Sequence, residues 1–145
     1  MKIMNIHQRT FDATPERLAA LVADFDTVWP TQIAPAPQRE GELFRVPVML
    51  WQEFDRPGAV RAFRVVSPPE MRGEHWFAVE RVDGGTRLTH TIEGEVSGDY
   101  EAIWRDRIRP NHDLVLEAVL DNVGRLVAEE HPGASGSDAE PPAGR

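Results

Sequence analysis

The cleanest alternation of apolar and polar positions runs over residues 86–96. Leu88, His90, Ile92, Gly94 and Val96 fall on one face, and Arg87, Thr89, Thr91, Glu93 and Glu95 on the other. A period of two with one polar side predicts a strand half-buried in an antiparallel sheet. Asp83-Gly84-Gly85 just before it predicts a hairpin, because these residues tolerate positive φ, and residues 75–82 supply the partner strand. Residues 44–54 and 60–66 are also strand-like, separated by the turn residues Asp55-Arg56-Pro57-Gly58. Pro47 marks an edge or a bulge in the first of these. Residues 2–12 form a further strand whose buried side stays open: Met4 and Ile6 occupy one face, Asn5, His7 and Phe11 the other.

Helical spacing appears twice. Thr14-Pro15-Glu16 combines a capping side chain, a proline whose missing N–H costs nothing in the first turn, and an acid at the positive end of the dipole. Leu18, Leu21, Val22 and Phe25 follow on one face, and a short second helical turn is expected before Trp29-Pro30. Near the C-terminus Tyr100, Ile103, Trp104 and Ile108 begin a stripe that Val115, Val119, Leu120, Val123, Leu126 and Val127 continue. Asp99 is placed to cap this helix, and Pro110 predicts a kink or break near residues 107–110. The fold class is therefore α+β: an antiparallel meander whose concave face buries the long terminal helix.

With 145 residues, the chain is expected to form one domain over 1–130. Residues 131–145, rich in Gly, Ala, Ser, Pro and acid, are expected to be a disordered tail. The chain has no cysteine, no apolar leader-like stretch after Met1 and no apolar run of membrane-spanning length. A cytoplasmic address is the expectation. The formal charge of −8 would repel a phosphate backbone, so nucleic acid is not an expected partner.

At the first strand–helix junction, Phe11-Asp12-Ala13-Thr14-Pro15-Glu16-Arg17-Leu18 resembles the SRPBCC superfamily, which includes START domains, birch-pollen-allergen-like proteins and polyketide cyclase/dehydrase proteins. Val28-Trp29-Pro30 is similar to the Trp-Pro after the family's short helices. Residues 72–77 and 84–95 resemble the last two strands of the cyclase-like branch. The resemblance spans about residues 2–129. It implies a helix-grip fold with a ligand cavity between sheet and terminal helix, and no cofactor.

Chemistry in such a cavity must come from a few polar side chains on an apolar wall. His90 shares its face with Leu88 and Ile92, so it points inward, and the hairpin puts positions 75–77 opposite 90–92. His75 and His90 are thus the candidate proton-transfer pair. The plainer alternative is two core histidines satisfied by protein groups. Candidate ligand-binding residues are Trp51, Glu53, Arg64, Phe77, Tyr100, Trp104 and His112. Glu53 and Arg64 are expected to line the cavity together or not at all. His7 and Arg9 share a strand face of unassigned side.

No metal-ligand spacing, phosphate-binding glycine loop or nucleophile elbow is present. The expected function is binding of a hydrophobic, partly oxygenated small molecule, lipid- or polyketide-like. A polyketide cyclase/dehydrase-type enzyme and a co-chaperone-like interaction module are the alternatives.

Overall fold

The computed structural model describes residues 1–130, and the expected tail at 131–145 lies outside them. The fold is α+β and of helix-grip type. Strand β1 (Lys2–Phe11) leads into helices α1 (Pro15–Ala23) and α2 (Phe25–Val28). Strands β2 (Gln38–Glu40), β3 (Leu43–Val46), β4 (Met49–Phe54), β5 (Arg61–Ser67), β6 (Met71–Val82) and β7 (Gly85–Val96) follow. The chain then continues through α3 (Tyr100–Ile103), a π-helical segment at Trp104–Ile108, and α4 (Arg109–Glu130). All seven strands form one antiparallel sheet in the order β1-β7-β6-β5-β4-β3-β2.

The local signals act as expected at most junctions. Thr14 Oγ1 accepts from the Arg17 amide at 3.1 Å and caps α1. Asp83 and Gly84 form a two-residue turn, with Gly84 at φ +87°, and Val82 pairs with Gly85 without a bulge. Asp99 occupies the start of α3, but its side chain makes no capping bond. The break expected before Pro110 is a local widening of the helix. The Arg109 amide reaches back to the Trp104 carbonyl, and the extra residue eases the clash a proline ring makes with the preceding turn.

One strand differs. The run at 44–54 is a hairpin, β3 and β4, turning at Pro47 and Val48, with Val48 at φ +67°. Pro47 marks this turn because its fixed φ suits a reversal and its missing N–H suits no ladder.

A glycine pair brings β6 and β7 unusually close. Gly73 and Gly94 face each other across β6 and β7, and a Cβ on Gly94 would lie 2.2 Å from the Arg72 carbonyl oxygen. The two strands approach there closer than any side chain permits.

Two separate apolar clusters hold the helix to the sheet. One joins Phe11, Phe77 and Leu88 to α1 and to Val115, Val119, Leu120 and Val123 of α4. The other joins Ile3, Met71, Ile92 and Val96 to Trp104 of the π segment. Between them β1 turns a polar side to α4, which settles its facing. Asn5 donates to Asp113 Oδ1 (3.0 Å), Arg9 bonds Glu117 (3.0 Å) and Asp121 (2.7 Å), and Met4 and Ile6 are exposed.

Val119 is 2% exposed at the heart of the first cluster. A carboxylate there would be buried without a partner, at a cost of several kcal/mol. Val119→Asp is expected to abolish the cooperative thermal transition seen by circular dichroism. An unchanged melting temperature would contradict this docking of α4.

Candidate functional site: a histidine-lined cavity

A cavity of about 370 Å³ lies between sheet and helix, in the gap between the two clusters. Its wall is mostly apolar, with Ile3, Val65, Met71, Ile92, Val115 and Leu116 contributing. Val48, Arg107 and Asn111 line it and are also exposed, so it opens to solvent between the β3–β4 turn and the π segment. That size suits a small organic molecule.

Seven of the nine sequence-predicted residues line this cavity: Trp51 from β4, His75 and Phe77 from β6, His90 from β7, Tyr100 from α3, Trp104 from the π segment and His112 from α4. Pairing of Phe77 with His90 and of His75 with Ile92 puts the two histidines diagonally on one face, as the hairpin register predicts. His75 is 8% exposed and His90 3%.

Glu53 and Arg64 do not line it, and the reason is instructive. Glu53 pairs with Phe63 and Arg64 with Gln52, so the two acidic and basic side chains leave opposite faces of the sheet. Glu53 is on the inner side but at the far end, bound to Arg61 at 2.9 Å. Arg64 is exposed and lies over the Phe54 ring at 4.1 Å. The residues at the mouth, Arg107 and Asn111, were missed. Their only signal is helical spacing from the apolar stripe, three and seven residues after Trp104.

The polar groups of the wall are poorly satisfied by the protein. Trp51 Nε1, His75 Nε2, His90 Nδ1 and both nitrogens of His112 are buried without a hydrogen-bond partner among the described residues. A buried unpaired donor or acceptor costs roughly 1–3 kcal/mol, so five together make this cavity the candidate functional site.

His90 Nε2 lies 3.4 Å from His75 Nδ1, and this contact has a consequence. Burial holds His90 well below the usual imidazole range, with His112 and His75 adding repulsion, and it pushes His75 down to about 3, with His112 again adding. Both rings are therefore neutral at pH 7, each with one N–H. If His90 donates to His75, then His75 Nε2 carries a proton and His90 Nδ1 is bare. If His75 donates, the outer atoms exchange roles. Either way the pair presents one donor and one acceptor to the cavity, and the two switch together. Burial also lowers His112, to about 4, with His7 contributing and Asp113 opposing.

No family model matches the chain, and no curated protein matches it. Solved structures do. A START superfamily protein from Mycobacterium smegmatis shares 14% identity at a TM-score of 0.57, over 88% of this chain and 98% of its own. The Zhui aromatase/cyclase from Streptomyces sp. R1128 shares 16% at 0.56, over 94% and 100%. A protein from Nitrosospira multiformis shares 15% at 0.63, over 92% and 100%. These likenesses show the fold alone, and it is the START-like helix-grip fold. Among the described residues no helix is long and apolar enough to cross a membrane.

The buried neutral histidines set a pH dependence. Unfolded His75 protonates near 6.5, whereas the folded ring resists down to about 3. Below pH 6.5 the unfolded state binds more protons, so stability falls with falling pH, by about 1.4 kcal/mol per unit from this one group. The melting temperature is expected to drop between pH 6.5 and 5, and less steeply for His75→Phe. Equal slopes for the two proteins would contradict a neutral buried His75.

Proposed function

We propose that the chain binds an apolar small molecule carrying carbonyl or hydroxyl oxygen, lipid- or polyketide-like, in the cavity between sheet and helix. The observation that carries this is the set of unpartnered Trp51 Nε1, His75 Nε2 and His90 Nδ1 on an otherwise apolar wall. A purely aliphatic occupant would leave those groups unsatisfied. A carbonyl oxygen accepts from Trp51 or from the donor nitrogen of the histidine pair, and a hydroxyl also donates to the pair's bare nitrogen. The fold shared with a START superfamily protein supports the reading. A cytoplasmic address goes with it, supported by the absence of cysteine.

A second reading, a cofactor-independent cyclase/dehydrase-type enzyme, is favoured by the His75–His90 contact. A bare outer nitrogen can take a proton from a carbon next to a carbonyl. The inter-ring proton then crosses, and the other outer nitrogen delivers its proton to the carbonyl oxygen. A ketone becomes an enol and both rings end neutral, which matters where an imidazolium is costly. The solved neighbour described as an aromatase/cyclase supports it.

Naphthalene and 2-naphthol, matched in size, test the binding reading by calorimetry. Naphthol is expected to bind about tenfold more tightly, the worth of one buried hydrogen bond. His90→Phe should fold and remove most of that preference. Equal affinities in the wild-type protein would contradict the reading. For the enzymatic reading, 2-acetonaphthone in deuterated buffer is expected to exchange its methyl protons faster with wild-type protein than with His90→Phe. Equal exchange rates would remove the case for catalysis.

A further inference from the structure

A second cluster shares His112 with the cavity wall and lies between β1 and the first turn of α4. We propose that His7, His112 and Asp113 bind one divalent first-row transition metal ion, of which zinc is the natural probe. Each residue offers one ligand atom, and these atoms all lie within 4.8 Å of one another. His7 Nε2 is 2.8 Å from Asp113 Oδ1, and His112 Nδ1 is 4.0 Å from the same oxygen. Ligands at about 2.0–2.2 Å around a tetrahedral ion are about 3.3 Å apart, between these two values. The His7 and His112 rings stand edge to face at 5.7 Å, so two different elements approach one point.

The surroundings carry the inference further than the ligands alone. His7 Nδ1 donates to Glu117 Oε2 at 2.7 Å, and Glu117 is itself held by Arg9 at 3.0 Å. A carboxylate on the far nitrogen of a histidine is how metal-binding imidazoles are oriented and made better ligands. Asn5 Nδ2 holds Asp113 Oδ1 at 3.0 Å, the equivalent support for the carboxylate. An ion would take the place of the proton now shared between His7 Nε2 and Asp113 Oδ1.

His112 supplies an independent observation. Both its nitrogens are buried without a partner, which no hydrogen bond of the protein relieves. Coordination through one of them removes half of that deficit. Charge agrees: Arg9 pairs with Glu117 and Asp121, and among the described residues Asp113 has no Lys or Arg partner. Three protein ligands leave room in the ion's shell for water or another oxygen donor. The set is spread over residues 7, 112 and 113, which is why no short motif announces it.

The test uses the full chain, stripped with a chelator and titrated with zinc chloride by calorimetry. One equivalent is expected to bind, with a zinc-dependent rise in melting temperature. His112→Gln and Asp113→Asn should each abolish both effects, and Glu117→Gln should weaken binding about 10- to 100-fold through His7. Asp121→Asn, which removes a carboxylate that bonds only Arg9, should bind zinc as wild type does. Asp113 is partly exposed, so its variant is expected to fold. Absence of zinc binding to the wild-type chain would overturn the proposal. So would binding that survives both His112→Gln and Asp113→Asn.

Discussion

Apolar attachment of the long helix at two places, with only polar contacts to β1 between them, is the constraint from which the other features follow. Phe11, Leu88, Val119 and Leu120 close one end, while Ile92, Val96 and Trp104 close the other. The glycine pair Gly73–Gly94 and the widened turn before Pro110 belong to this part of the molecule. Apolar side chains of ordinary size do not fill the span between the two clusters, and about 370 Å³ remains. A continuous apolar stripe would have produced a solid core. Here the stripe is interrupted at His112 by a side chain that neither packs like leucine nor finds a hydrogen bond.

The histidines gain their chemistry from burial. In water an imidazole titrates near neutrality and its nitrogens are satisfied by solvent. In the cavity wall the charged form is too costly, so His75 and His90 stay neutral and share a single proton along their 3.4 Å contact. A neutral pair of this kind is both donor and acceptor, which matches a carbonyl or hydroxyl better than an ion would. His7 is the contrasting case. It lies on the same layer of the molecule, but carboxylates from α4 meet its two nitrogens at 2.7 and 2.8 Å.

Sequence periodicity was enough for the strand that matters most. The alternation from Leu88 to Val96 carries His90 inward without any knowledge of the fold, and the Asp83-Gly84 turn then fixes His75 beside it. It was less informative where a face is polar for structural reasons. On β1 the apolar residues Met4 and Ile6 are outside, because Asn5, His7 and Arg9 bond across to α4; only the helix partners make sense of that inversion. Glu53 and Arg64 show a second limit. Parity within a strand is readable, but the relation between strands depends on register, and the pairing of Glu53 with Phe63 sets it. The β3–β4 turn at Pro47-Val48 was hidden for a related reason, since flanking apolar residues made one long strand of two short ones.

The central claim is that the cavity recognises oxygen through the paired imidazoles. Long-range nitrogen–proton NMR of protein labelled with 15N in histidine reads that contact atom by atom. On titration with 2-naphthol, the account predicts saturable shifts at His75 Nε2 and His90 Nδ1, with both rings remaining neutral. Saturable binding that leaves those two nitrogens unmoved would contradict it.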